Sequence, residues 1–122
     1  MIARIFATTV ALALLLVPTA ILAHAFLDHS DPAVGSTVPT SPGVMHLWFT
    51  QQLEPAFSTV TVSDQSGAVV NAAPAAIDPG NRSELDVNLK QLPAGTYKVK
   101  WHVLSVDTHT TEGDYVFHVG KG

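Results

Sequence analysis

Asp107 and His109, a carboxylate and an imidazole two residues apart, stand where one apolar strand pattern stops and the next begins, within Trp101-His-Val-Leu-Ser-Val-Asp-Thr-His-Thr-Thr-Glu-Gly-Asp-Tyr-Val-Phe-His-Val119. In extended backbone, side chains at i and i+2 project to the same side, about 7 Å apart along the strand, so both can converge on one atom. That is a metal-ligand spacing, although taken alone it is a weak signal, since such a pair in a turn is more often a solvated loop. The second half of the case is His24. If the chain is cut after Ala23, His24 presents a free α-amino nitrogen beside its own Nδ1, and the two close a chelate ring on a single ion. The amine, with an ordinary pKa of about 7.7 to 8, must lose its proton to bind, a step that a Lewis-acidic divalent ion drives. With the His109 nitrogen and the Asp107 oxygen the donor set is nitrogen-rich and hard. Tetragonal nitrogen and oxygen coordination suits Cu(II), which heads the divalent affinity order, whereas zinc prefers a tetrahedron.

These donors need a chain end at the right residue. Arg4 follows the amino terminus, Ile5 to Val17 is almost wholly apolar, and Pro18 precedes small residues, the make-up of a secretory signal peptide over residues 1–23. A membrane anchor would need about 18 or more apolar residues, which this run does not reach. Two cut sites compete. Ala23-His24-Ala25 fits the A-x-A pattern and would leave Phe26 first, while a cut after Ala23 would leave His24 first; the pattern alone favours the former. Loss of the leader removes Arg4 and takes the formal charge from −4 to −5.

The remaining 24–122 has the length of one domain with one modest core. The six Lys plus Arg of the 122-residue chain are scattered singly, so there is no basic stripe to follow a nucleic acid backbone. With no cysteine there is neither a disulfide framework nor a thiolate site.

The elements that would position the donors read as short strands. Ala25 to Ser30 suits an edge strand and Asp31-Pro-Ala-Val-Gly35 a turn. Val44 to Thr50 alternates Met45, Leu47 and Phe49 against Val44, His46 and Trp48. Thr59 to Ser63 alternates, with Gln65-Ser-Gly67 as a hairpin turn into Ala68-Val-Val70, and Asn71 to Arg82 reads as a loop. Leu85, Val87 and Leu89 mark another strand. Leu92-Pro-Ala-Gly95 turns into the longest one, with Tyr97, Val99, Trp101 and Val103 on one face; Tyr115, Phe117 and Val119 close the sheet. About seven strands with turns near every ten residues and no amphipathic helix predict an all-β, immunoglobulin-like sandwich or Greek-key β-barrel. Tyr97, just after a Pro-Ala-Gly corner, is placed as a tyrosine corner.

Taken together, His24-Ala-Phe-Leu-Asp-His-Ser-Asp-Pro-Ala-Val-Gly35, Leu47-Trp-Phe-Thr-Gln51, Phe57-Ser-Thr-Val-Thr-Val-Ser-Asp64, Leu92-Pro-Ala-Gly-Thr-Tyr-Lys-Val-Lys-Trp101, Ser105-Val-Asp-Thr-His109, Gly113 and Phe117-His-Val119 resemble the CopC family of periplasmic copper-binding proteins, over essentially the whole of 24–122. The resemblance implies a seven-stranded Greek-key barrel and His24 as the mature first residue. It also implies Cu(II) held by the amine and ring of His24 with Asp107 and His109, and copper handling in the periplasm beside a CopD-like membrane copper transporter.

The chain departs from that pattern at Gln51, where many relatives carry Glu; an amide brings no negative charge and accepts no proton from the amine. Glu54, at a second acidic position of relatives, either compensates electrostatically or is a solvated loop carboxylate. Some relatives bind Cu(I) through a methionine-rich stretch, but here Met45 on an apolar strand face is a core residue, and one thioether does not build a soft site. His46, His102 and His118 lie in strand patterns and are expected to pack or face solvent, and His29 is a candidate outer ligand. Two other function classes compete with a Cu(II) holder. A copper monooxygenase also uses an N-terminal histidine, but Asp107 is available here to take up the copper plane. In an immunoglobulin-like interaction module Asp107 and His109 would be plain loop residues.

Overall fold

The computed structural model describes residues 24–120; the signal peptide expected over 1–23 lies outside them. Eight strands follow one another as β1 (Leu27–Asp31), β2 (Thr37–Val38), β3 (Val44–Phe49), β4 (Thr59–Ser63), β5 (Ala76–Asp78), β6 (Asn81–Asn88), β7 (Gly95–Leu104) and β8 (Thr110–Val119), with a 3-10 turn at Pro55–Phe57. They form two four-stranded sheets, ordered β1-β3-β6-β5 and β2-β8-β7-β4. All pairings are antiparallel except the short β2 beside β8. Only β5–β6 and β7–β8 are hairpins, and elsewhere the chain passes from one sheet to the other. This is the all-β, immunoglobulin-like sandwich expected, with one strand more.

The alternation read in the sequence is what packs it. Met45, Leu47 and Phe49 of β3, Val60 and Val62 of β4, Leu85 and Val87 of β6, Val99 and Val103 of β7, and Phe117 and Val119 of β8 are buried between the sheets. Each contributes about 1.5 to 3 kcal/mol relative to an exposed side chain, so the sheet faces are held chiefly by this layer. The Tyr97 hydroxyl donates to the Pro93 carbonyl at 2.6 Å, the tyrosine corner anticipated at the start of β7. Gly113 sits opposite Trp101, where a Cβ would fall 2.5 Å from the indole ring. The indole fills the space a side chain would need.

Two expectations are corrected. Asn71 to Arg82 is not simply a loop: it contains β5 and the start of β6, because the Asp78-Pro-Gly-Asn81 stretch that reads as loop composition is the turn of a hairpin. Ala68 to Val70 does not form a full strand; it meets β4 through one bridge, Ser63 with Val69, and a bond from Val70 N–H to the Val62 carbonyl at 2.8 Å.

One end of the sandwich is tied across its two sheets. After β3, Leu53 bridges Ser105, Glu54 N–H donates to the Leu104 carbonyl at 2.8 Å, and Val106 N–H donates to the Gln52 carbonyl at 3.0 Å. The β7–β8 turn is thereby fixed beside the end of β3 and the start of β1.

Candidate metal centre

His24 enters this end as part of a clamped segment. The Thr50 hydroxyl donates to the His24 carbonyl at 3.1 Å and accepts from Phe26 N–H at 3.0 Å, while Thr50 N–H donates to the Phe26 carbonyl at 2.9 Å. From the other sheet the Thr111 hydroxyl donates to the Ala25 carbonyl at 2.5 Å, and Ala25 is fully buried. The His24 side chain is therefore aimed from a backbone held by both sheets.

Asp107 and His109 arrive from the β7–β8 turn, and the turn, rather than extended alternation, brings them together. Thr108 N–H donates to the Ser105 carbonyl at 2.9 Å and Ser105 N–H to the His109 carbonyl at 3.0 Å, closing a tight loop. Thr108 takes φ 72°, the left-handed region. For a β-branched residue this costs roughly 1 to 2 kcal/mol. Ser105 is the internal brace: its hydroxyl donates to the Asp107 carboxylate, lies 3.2 Å from the His109 carbonyl and accepts from His109 N–H at 3.3 Å. That hydroxyl, and then the neighbouring imidazole, hold the Asp107 carboxyl below the usual aspartate value, so it is a carboxylate well into the acid range.

The rings of His24 and His109 stand 4.8 Å apart, nearly perpendicular at 82°. Asp107 Oδ1 lies 3.4 Å from His109 Nδ1 without the alignment of a hydrogen bond. The Nδ1 atoms of His24 and His109 are both buried and both lack a hydrogen-bond partner. Buried polar atoms are almost always satisfied, and leaving one unmade costs about 1 to 3 kcal/mol, so two unpartnered imidazole nitrogens side by side are a feature that calls for a partner. A cation that accepts their lone pairs fits, and Asp107 supplies the anionic oxygen beside them. This set of two imidazoles and a carboxylate is hard and borderline in character, as Cu(II) requires and Cu(I) does not.

The remaining sequence candidates sort by position. Gln51 follows the clamp residue Thr50, and Glu54 lies on the segment tied to Leu104; neither side chain has a hydrogen bond among the described residues. His29 is occupied elsewhere, its ring stacked on Trp48 at 4.3 Å and its Nδ1 2.6 Å from Asp28. His102 faces solvent and His118 Nδ1 pairs with the Thr96 hydroxyl at 2.9 Å, as residues of strand faces should. His46 does neither. Its Nδ1 meets Glu84 at 3.0 Å and Asp86 at 2.7 Å, two carboxylates of β6 not singled out from the sequence. Glu84 and Asp86 alternate with Leu85 and Val87, which is a signal, but their convergence with His46 depends on the pairing of β3 with β6 about 40 residues later, which no local pattern encodes.

An open groove lined by Ala56, Val60, Val69, Pro74 and their neighbours contains no ionisable side chain and none of the donors described above. Among the described residues no helix is long and apolar enough to cross a membrane.

Comparison with known proteins gives the same direction as the geometry. The CopC domain model matches residues 27–120. Protein YobA of Escherichia coli strain K12 is 37% identical over 105 residues, covering 85% of each chain. Among solved structures, CopC from Methylosinus trichosporium OB3b superposes with a TM-score of 0.74 at 35% identity, over 79% of this chain and 93% of that one. PcoC, a methionine-rich copper resistance protein from Escherichia coli, superposes with a TM-score of 0.70 at 33% identity, over 80% and 99%.

Proposed function

This chain belongs to the CopC family, and from that premise we propose that it is an exported Cu(II)-binding protein of copper resistance or homeostasis, holding the ion through His24, Asp107 and His109 without catalytic turnover. Removal of residues 1–23 would free the His24 amine, leaving 24–122 as the mature copper-binding domain in the periplasm. The amine and Nδ1 of His24 then chelate, His109 adds a second imidazole, and Asp107 closes the set with a negative charge. Copper is cargo here, sequestered or delivered, and a CopD-like membrane transporter is the partner that the family resemblance suggests.

The single observation that carries the reading is the pair of buried, unpartnered Nδ1 atoms on His24 and His109. A binding role is favoured over a monooxygenase because Asp107 stands beside them, where an oxygen-activating copper would need an open position. The interaction-module reading leaves those two nitrogens without explanation.

The deciding experiment uses the exported protein. Intact mass spectrometry gives its first residue, and a competition titration compares Cu(II) affinity of a chain beginning at His24 with one carrying an extra N-terminal Met. We expect the blocked chain to bind Cu(II) at least about 100-fold more weakly, equivalent to about 2.7 kcal/mol, and its electron paramagnetic resonance spectrum to lose one nitrogen ligand. Equal affinity would remove the terminal chelate from this assignment.

A further inference from the structure

We propose that the outer face of the β1-β3-β6-β5 sheet carries a second divalent-cation site, formed by His46 of β3 with Glu84 and Asp86 of β6. It is independent of the His24 centre: His46 lies four positions before Thr50, about 13 Å back along the strand.

The three donor atoms lie within 4.8 Å of one another. Their convergence follows from regular sheet geometry, since Glu84 and Asp86 are i and i+2 on β6 and His46 is the direct cross-strand partner of Asp86. The site is also braced. The Trp48 indole N–H donates to Glu84 Oε1 at 2.7 Å, which turns the other oxygen, Oε2, to His46 Nδ1 at 3.0 Å. Glu84 is only 8% exposed, and an acidic group so placed costs stability unless a positive charge stays beside it. His46 and Asp86 are half-exposed, so an ion and its waters can reach the third side.

The observed spacing suits a metal. With bonds of about 2.0 Å, neighbouring ligands lie about 2.8 Å apart around a square-planar ion and about 3.3 Å around a tetrahedral one. The 2.7 and 3.0 Å separations bracket the square-planar distance and would have to open by about 0.3 to 0.6 Å for the tetrahedral one. Without metal, a proton on His46 offsets one of the two carboxylate charges. The hydrogen bond to Asp86 raises the His46 pKa, and burial, with Glu84 alongside, pushes Asp86 up to about 6. The neighbouring strands add further negative charge: Asp31 of β1 pairs with His46 in register, and Asp78 of β5 stands near enough to Asp86 to raise it further. Arg82, two positions before Glu84, is exposed and pairs with neither carboxylate. One nitrogen and two carboxylate oxygens with open positions would take Zn(II) or Cu(II), exchanging the ion for the proton.

The test disables the first centre with His109→Ala and an added N-terminal Met, then titrates the folded chain with Zn(II) and, separately, Cu(II). One remaining equivalent is expected, weakened at least about tenfold by Asp86→Asn or by Glu84→Gln, and at least about tenfold between pH 7.5 and pH 5.5 as the proton competes. In the unsubstituted protein, the ring nitrogens of His46 should shift on Zn(II) addition in nitrogen-15 spectra, a readout that does not depend on any variant folding. No remaining equivalent, an equivalent indifferent to both substitutions, or an unmoved His46 ring would each reduce the cluster to a hydrogen-bonded ion pair only.

Discussion

The His24–His109 centre and the His46–Glu84–Asp86 cluster use the same side-chain chemistry and solve opposite problems. At the first, donors are gathered by irregular backbone: a clamped chain segment, a five-residue turn and a threonine in the left-handed region. Their nitrogens are left unpartnered. At the second, donors are gathered by the plain register of two neighbouring strands, and every donor already has a partner. The contrast separates two kinds of readiness. An arrangement that bears strain and leaves buried lone pairs unused would meet a ligand already organised, whereas a satisfied cluster would have to give up a proton to take one and should bind more weakly for that reason.

If this contrast holds, substitutions at the two places should not cross over. The largest effect is expected from His109→Ala, which should weaken Cu(II) binding by about 100-fold, with Asp107→Ala costing about tenfold because water refills a carboxylate position more readily than an imidazole one. Both variants should keep the fold and leave any binding at His46 unchanged. A competition titration with the two variants side by side decides this, and the reverse ranking would assign the larger share to the carboxylate.

Gln51→Glu comes next. A negative charge introduced beside the Thr50 clamp should tighten Cu(II) several-fold, on the order of 1 kcal/mol for a partly screened charge, without altering the strand cluster. An unchanged constant would place position 51 outside the electrostatic reach of the ion.

Thr108→Asn probes the strain itself. Asparagine tolerates the left-handed region far better than a β-branched residue, so the metal-free protein should gain about 1 kcal/mol and melt about 4 to 8 °C higher. A lower melting point would mean that the Thr108 hydroxyl, which donates to the Asp107 carbonyl at 2.6 Å, matters more than its backbone conformation.

The smallest effect lies in pH. His46 titrates above its ordinary 6.5 and Asp86 near 6 rather than 3.8. The stability contributed by His46 is complete below pH 6.5 and is lost as pH rises through its elevated native value. Asp86 acts in the same direction, because the folded protein keeps a proton that the unfolded chain releases between pH 4 and 6. The metal-free domain should therefore lose stability from about pH 4 to above pH 7, and Asp86→Asn should flatten the lower part of that slope fully and the upper part in part, since it also removes the hydrogen bond that raises His46. Asp107, whose value is lowered, contributes only in the acid range and with the opposite sign. Thermal melts across this range check it.

Much of the first centre could be read from residue types because its members announce themselves: a histidine just past a leader and a D-x-H pair between two strands. Strand alternation alone nevertheless does not bring them together. Extended alternation, invoked for Asp107 and His109, is what unites Glu84 with Asp86, while Asp107 and His109 meet through a turn whose left-handed residue is a threonine, a type that signals strand. The packed face of the sandwich was legible at Met45, Leu47, Phe49 and Val99 because period-two burial is a local property. The β5–β6 hairpin was not, since Pro79 and Gly80 read equally as loop or turn. The His46 cluster was hidden for a further reason: which strands become neighbours is settled by sheet order across the whole chain.

The clamp on residues 24–26 has a consequence for biogenesis. Thr50 and Thr111 grip the carbonyls of His24 and Ala25, and Ala25 fills a fully buried place. A chain starting at Phe26, as the competing cleavage pattern would give, would arrive without either carbonyl or the buried methyl, leaving the Thr111 hydroxyl without its acceptor and Thr50 with only the Phe26 nitrogen. If residues 1–23 are removed, the fold would therefore distinguish the two cuts: a loss of two further residues would leave an open seam between the sheets at Ala25.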